Sequence, residues 1–238
     1  MREAGIDNVN IDLIFGFPGH TLENWKYTLE RTIAMSPSHL SFYSLQIEEN
    51  TPMYEAFRAG TAIQIPQELD RKMYSFVLEI LKASGYRHYE ISNAAFPGFE
   101  CRHNLKYWSM KDYIGVGAAA HSFIGGCRFE NPGSISDYTA LINKNKSQYG
   151  SVLYGNLHYM QRQSVEELIS DCIFTQLRTV EGIDLIQFRQ KYGIDLSEYK
   201  RDVIAKYIAD GCLNFDEGRI HLTNKGIDIS NLIISELM

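Results

Sequence analysis

Between Glu100 and Trp108 the chain reads Glu-Cys-Arg-His-Asn-Leu-Lys-Tyr-Trp, which places an imidazole, an amide, a phenol and an indole between His103 and Trp108. This set suits a porphyrin, because an imidazole can ligate haem iron axially, aromatic rings can cover the macrocycle, and a Lys or Arg can pair with a propionate. The same residues also read as a hydrogen-bonded His among packed aromatics, since a lone His is more often bonded than metallated. Both readings stand on the residues alone. His121 follows the small-residue run Gly115-Val116-Gly117-Ala118-Ala119-Ala120, which lets the backbone approach another strand or a ligand closely. His88 and His158 have no supporting neighbours. Asp12 lies in an apolar strand pattern three residues ahead of Phe15. A carboxylate near the C-terminal end of a parallel strand is placed to accept hydrogen bonds from a ribose or an amino group; an Asp turned to solvent or paired within the fold reads as well. The turn Gly16-Phe17-Pro18-Gly19 opens backbone to a ligand. Cys101, Cys127, Cys172 and Cys212 are far apart, so no metal knuckle or redox pair is local in sequence, and they read as reduced, buried apolar residues.

The elements that must position these groups follow from the hydrophobic pattern. The 238 residues, 45% hydrophobic and 22% charged, can bury a substantial core and exclude disorder. A net charge of −6 gives no bulk attraction to nucleic acid or an anionic membrane. The most continuous apolar stretch, 113–126, is too short and too rich in glycine to span a bilayer, and the first twenty residues lack the order of a signal peptide. A soluble, cytoplasmic protein is expected.

Val9 to Phe15 predicts a strand, Thr21 caps a helix carrying Leu22, Trp25, Leu29 and Ile33, and His39 to Ile47 predicts a second strand. The simplest topology is a parallel β-α-β unit with a right-handed crossover. Gln67 to Ser84 is an amphipathic helix closed by Gly85. Tyr86–Ile91 and Tyr113–Val116 read as extended, with the aromatic segment 101–108 between them carrying no clear periodicity. Helix resumes over Ile135–Ile142, and the polar Lys144–Tyr154 reads as a boundary, giving an α/β domain over 1–154 and a second domain over 155–238. There, helices from Ser164 to Leu177, Asp184 to Tyr192 and Leu196 to Asp210, a hairpin over 212–222 and a helix from Thr223 suggest a winged-helix-like module.

Several strings taken together resemble a known family. They are Asn10-Ile11-Asp12-Leu13-Ile14-Phe15-Gly16-Phe17-Pro18-Gly19-His20-Thr21, Ser41-Phe42-Tyr43-Ser44-Leu45, His88-Tyr89-Glu90-Ile91-Ser92-Asn93, and Gly115 through Ser122. In order and spacing they are similar to radical S-adenosylmethionine proteins related to oxygen-independent coproporphyrinogen III oxidase. Within that group, His103-Asn104-Leu105-Lys106-Tyr107-Trp108 resembles the His-Asn-x-x-Tyr-Trp haem motif of the HemW-type haem chaperones, and Leu222-Thr223-Asn224-Lys225-Gly226 resembles the small domain that closes these proteins. The resemblance implies a partial (β/α)6 barrel holding S-adenosylmethionine and a four-iron four-sulfur cluster, a small helical domain, and delivery of haem to client haemoproteins. It implies that Asp12 contacts the S-adenosylmethionine ribose, that Ile14 packs on its adenine, and that Gln46 lies at the backbone position contacting the nucleoside. It makes His103 the ligand of haem iron, with Asn104, Tyr107 and Trp108 completing the haem site.

The family's Cys-x-x-x-Cys-x-x-Cys cluster motif has no counterpart here. The resemblance therefore implies that the first half of the barrel is missing, through truncation or because a partner chain supplies it, and that this chain alone performs no radical chemistry. The alternative is an oxygen-independent coproporphyrinogen III oxidase, which carries out oxidative decarboxylation in porphyrin biosynthesis; it needs the cluster, and the haem motif counts against it. A nucleic-acid module at the winged-helix-like end has no basic stripe to support it.

Overall fold

A computed structural model describes residues 2–149 and 161–238. The expected boundary after residue 154, and His158, lie outside the described residues. The chain divides into two compact units, Met1–Cys101 and Arg102–Met238.

In the first unit a 3-10 turn over Arg2–Ala4 precedes β1 (Asn10–Phe15), α1 (Leu22–Ala34) and β2 (His39–Ser44). The expected parallel pair forms in full register, from Asn10 opposite His39 to Phe15 opposite Ser44. Thr21 accepts a bond from the Asn24 amide, as its position predicts, and so satisfies an orphan donor of the first turn. Two short elements join the expected ones. α2 (Pro52–Arg58) is capped by Thr51, and β4 (Asn93–Ala95) runs antiparallel between β2 and β3 (Arg87–Glu90), giving the order β1-β2-β4-β3. β4 consists of Asn-Ala-Ala, which carries no strand propensity, and burial between its two neighbours holds it extended. α3 (Gln67–Ala83) ends as expected, with Gly85 at φ +86°.

The core of this unit lies between α1, α3 and the sheet. Phe15, Trp25, Leu29, Leu40, Met73 and Val77 are all fully buried. The Trp25 indole donates to the Met73 carbonyl at 3.0 Å and so ties α1 to α3. β1 is an edge strand in which residues 10–14 alternate between exposed and half-buried, and only Phe15 is buried.

The second unit begins with α4 (Arg102–Trp108). The strand expected over Tyr113–Val116 is reduced to a single bridge from Tyr113 to Phe123, because the Gly115 amide and carbonyl bond to the side chains of Ser122 and Asn131 rather than to a strand. The strands here are β5 (His121–Ile124) and β6 (Cys127–Glu130), a hairpin turned by Gly125 and Gly126, both at positive φ. α5 (Ile135–Tyr149) takes in the first part of the polar stretch read as a boundary, since Lys and Gln support a solvated helix. β7 (Gln161–Arg162) joins β6.

α6 (Val165–Gln176) opens with a full capping box between Ser164 and Glu167. The two-residue strand β8 (Ile183–Asp184) leads into α7 (Leu185–Tyr192). The helix expected from Leu196 to Asp210 breaks at Lys200, whose φ of −117° and ψ of 28° leave the helical region, into α8 (Leu196–Tyr199) and α9 (Arg201–Ala209). β9 (Leu213–Asp216) and β10 (Arg219–Leu222) form the expected hairpin, and β8 completes a three-stranded sheet in the order β8-β10-β9. The final helix also breaks, at Ile229, into α10 (Asn224–Asp228) and α11 (Ser230–Leu237). α10 lies against the preceding loop so closely that a Cβ on Gly226 would sit 1.9 Å from the Cys212 carbonyl oxygen. The helical segments α6 to α9, a short strand and a hairpin give this end the winged-helix-like arrangement its sequence suggests. Its hairpin tip carries Asp216 and Glu217, the wrong sign for a phosphate backbone. None of the described helices is long and apolar enough to cross a membrane.

Candidate functional site

The segment whose periodicity was unreadable is helical. α4 has only seven residues, and Leu105 is its one aliphatic side chain, so no apolar stripe announces it. In a helix His103 and Tyr107 stand one turn apart, as do Asn104 and Trp108, so these four residues occupy two adjacent ridges of one face. His103 is exposed, while Asn104, Tyr107 and Trp108 are half-buried. The His103 ring meets Tyr107 edge-on with centroids 4.8 Å apart, and Tyr107 meets Tyr113 edge-on at 4.5 Å. Tyr113 in turn packs against Phe123 of β5 at 6.3 Å, and burial pushes its phenol pKa up, so it stays protonated. An aromatic row thus braces the motif helix and holds the imidazole outward. Beside it the Trp108 indole lies under the Arg178 guanidinium, whose central carbon is 5.0 Å from the ring centroid.

The small-residue run before His121 does let backbone approach backbone, and its partner is a strand. A Cβ on Gly115 would fall 2.2 Å from the His121 carbonyl oxygen. The Gly115 amide donates to Ser122 Oγ at 2.9 Å, and Asn131 Nδ2 donates to the carbonyls of Gly115 and Gly117 at 3.2 and 2.8 Å. His121 itself is exposed at the start of β5, with Glu130 3.7 Å away. His88 packs on Phe42, and burial lowers its pKa.

In the first unit Asp12 and Ile14 project from the same side of edge strand β1, two residues apart and both exposed. Asp12 accepts a bond from Asn10 Nδ2 at 2.7 Å. Gln46 lies just past the C-terminal end of β2, in a cleft of about 500 Å³ with Ser44, Tyr54, Phe57, Gln64 and Arg71. Ile14 and Gln46 thus lie at the C-terminal end of one parallel strand pair, where parallel sheets bind ligands, and Asp12 stands two residues earlier, in mid-strand. An exposed carboxylate and an exposed apolar side chain there fit a nucleoside. The cysteines do not fit an iron–sulfur cluster: among the described residues no group of three or more His, Cys, Asp or Glu side chains could hold a metal ion.

One polar network escaped the sequence reading. His39 is 7% exposed; its Nδ1 lies 2.6 Å from Asn10 Oδ1 and its Nε2 2.7 Å from the Tyr89 hydroxyl. The Asn10 oxygen is an acceptor, so Nδ1 donates to it, and in the neutral ring that burial favours Tyr89 donates to Nε2. Burial lowers the His39 pKa against the opposing pull of Asp12 and Glu100. The same chain, Tyr89–His39–Asn10, ends on Asp12. Its partners are 29 and 50 residues apart, and no local pattern signals them.

The HemN C-terminal domain family matches residues 163–229. The heme chaperone HemW of Bacillus subtilis is 33% identical over 237 residues, and that of Lactococcus lactis 30% identical over 238. Each alignment covers the whole of this chain, which spans about 60% of the length of these relatives. Among solved structures, coproporphyrinogen III oxidase (HemN) from Escherichia coli, a radical SAM enzyme, shares the fold with a TM-score of 0.72 and 21% identity, over 99% of this chain and 56% of that one. The mixed α/β unit and helical end described above are therefore the C-terminal part of the HemN-like fold. Over its whole length the chain is thus similar to HemW-type proteins, and its residues 163–229 match the HemN C-terminal domain family.

Proposed function

We propose that this chain is the haem-carrying part of a HemW-type chaperone, which binds haem through His103 and passes it to client haemoproteins. The observation that carries this reading is the display of His103-Asn104-x-x-Tyr107-Trp108 on one face of α4, with the imidazole exposed and braced from behind by Tyr107 and Tyr113. An exposed imidazole on a supported helix can ligate iron while leaving the opposite side of the macrocycle open, which release to a client requires. Tyr107 and Trp108 supply apolar surface for the ring, and Asn104 a hydrogen-bonding group beside it. The names of the curated relatives agree with this assignment.

In the first unit Asp12 is proposed to accept hydrogen bonds from the ribose of S-adenosylmethionine, with Ile14 against the adenine and Gln46 at the nucleoside. In the family that cofactor and a four-iron four-sulfur cluster supply radical chemistry. The described residues do not fit the cluster, and the oxidase reading gains nothing from them. The cytoplasm is the proposed place of work, in keeping with four free thiols and clients that acquire haem after synthesis.

The test is transfer. The chain is loaded with haem, freed of excess by gel filtration and mixed with an apo-haemoprotein, and the client's Soret band is followed. Transfer that depends on His103 and outpaces release into buffer supports the proposal. A loaded chain that surrenders haem to the client no faster than to albumin contradicts it.

A further inference from the structure

Beside the motif helix lies a half-buried cation, Arg178, that has no carboxylate partner among the described residues. Arg178 follows α6, and its guanidinium lies between the rings of Trp108 and Phe174, with centroid distances of 5.0 and 6.0 Å. Other arginines of this unit have carboxylates: Arg128 binds Asp171 at 2.7 Å and Arg219 binds Asp184 at 3.2 Å. Among the described residues none pairs with Arg178. Its Nε is buried without an acceptor, and so is Nε1 of Trp108. Two N–H donors cannot satisfy each other, and a stranded buried donor costs free energy, so each such group in a native fold calls for an explanation. Arg178 as a whole residue is only half-buried, so its side chain is not sealed from solvent.

The missing group is defined by what these donors lack: an acceptor that carries negative charge. Planar guanidinium recognises carboxylates bidentately, and stacking on an indole fixes its plane beforehand. Arg102 and Lys106, on α4 itself, are exposed and fully hydrated, where ion pairing contributes little. We propose that Arg178, held over Trp108, is the carboxylate-binding residue of the haem site and pairs with a haem propionate. The inference rests on the haem reading above and extends it from the iron to the edge of the macrocycle.

The test compares haem with its dimethyl ester, in which both propionates are neutral, by Soret titration of the parent chain, Arg178→Ala, Arg178→Lys and His103→Ala. Far-UV circular dichroism and the thermal midpoint check that each variant is folded. Arg178→Ala is expected to weaken haem binding about tenfold, the scale of one charge-assisted pair, while leaving ester binding within about twofold. Arg178→Lys, which keeps the charge but not the fork, falls between and carries the test if the alanine variant does not fold. Equal weakening of haem and ester would overturn the proposal, because Arg178 would then act by packing under Trp108. So would a parent chain that binds the ester as tightly as haem, which would leave a client carboxylate as the source of the anion. Saturable, His103-dependent binding indifferent to Arg178 defeats this inference and spares the haem reading; no saturable binding by the parent defeats both.

Discussion

The substitution Gly115→Ala tests how the loop that precedes His121 is built. The added methyl would fall 2.2 Å from the His121 carbonyl oxygen and 3.0 Å from the Ala120 carbonyl carbon, both main-chain atoms that cannot rotate away. Real Cβ atoms do not approach closer than 3.0 Å, so the two segments must separate by roughly 0.8 Å. That separation strains the hydrogen bonds which hold the loop on β5: the Gly115 amide to Ser122 Oγ, and Asn131 Nδ2 to the Gly115 and Gly117 carbonyls. At about 1 kcal/mol each, with part of that lost and an overpacking cost of about 1–3 kcal/mol added, the expected destabilisation is about 3 kcal/mol. In urea unfolding with an m value of roughly 2 kcal/mol/M the midpoint should fall by about 1.5 M. Val116→Ala, one residue on and 83% exposed, serves as the control and should stay within about 0.5 kcal/mol of the parent. A Gly115→Ala midpoint equal to that of the control would refute the close approach.

Other outcomes follow from the same contacts. The pKa of His39 is lowered by burial, so between its folded value and the ordinary 6.5 the unfolded chain binds more protons. Its contribution to stability is therefore complete above pH 6.5 and lost as pH falls through that window. Urea midpoints taken from about pH 7.5 to 5.5 should drop, and His39→Asn should flatten the slope; a parent midpoint that rises on acidification would contradict the neutral-ring network. Ser164→Ala removes one arm of the capping box and should cost about 1 kcal/mol, read as a lower thermal midpoint, whereas an unchanged midpoint would mean that α6 is held by packing alone.

What the sequence revealed divides along physical lines. Strands β1 and β2, their parallel pairing, the Thr21 cap, α3 with Gly85 and the β9–β10 hairpin rest on local signals, and all are present. Where tertiary contact decides, the local pattern fell short. β4 is Asn-Ala-Ala made a strand by its neighbours, and the breaks at Lys200 and Ile229 interrupt periodicity that runs through both positions. The candidate site shows the same division. The His103 motif is visible as a string, and its helix is not, because seven residues with a single aliphatic side chain carry no apolar stripe. Arg178 lies 70 residues from Trp108 along the chain, beyond the reach of any spacing rule.

Haem binding by this chain is assigned to His103. Titrating haem into the purified chain beside folded His103→Ala, with the Soret band as readout, measures that directly. A saturable band in the parent, absent or greatly weakened in the variant, is the predicted result. Equal binding by the two would contradict the assignment of the imidazole to the iron.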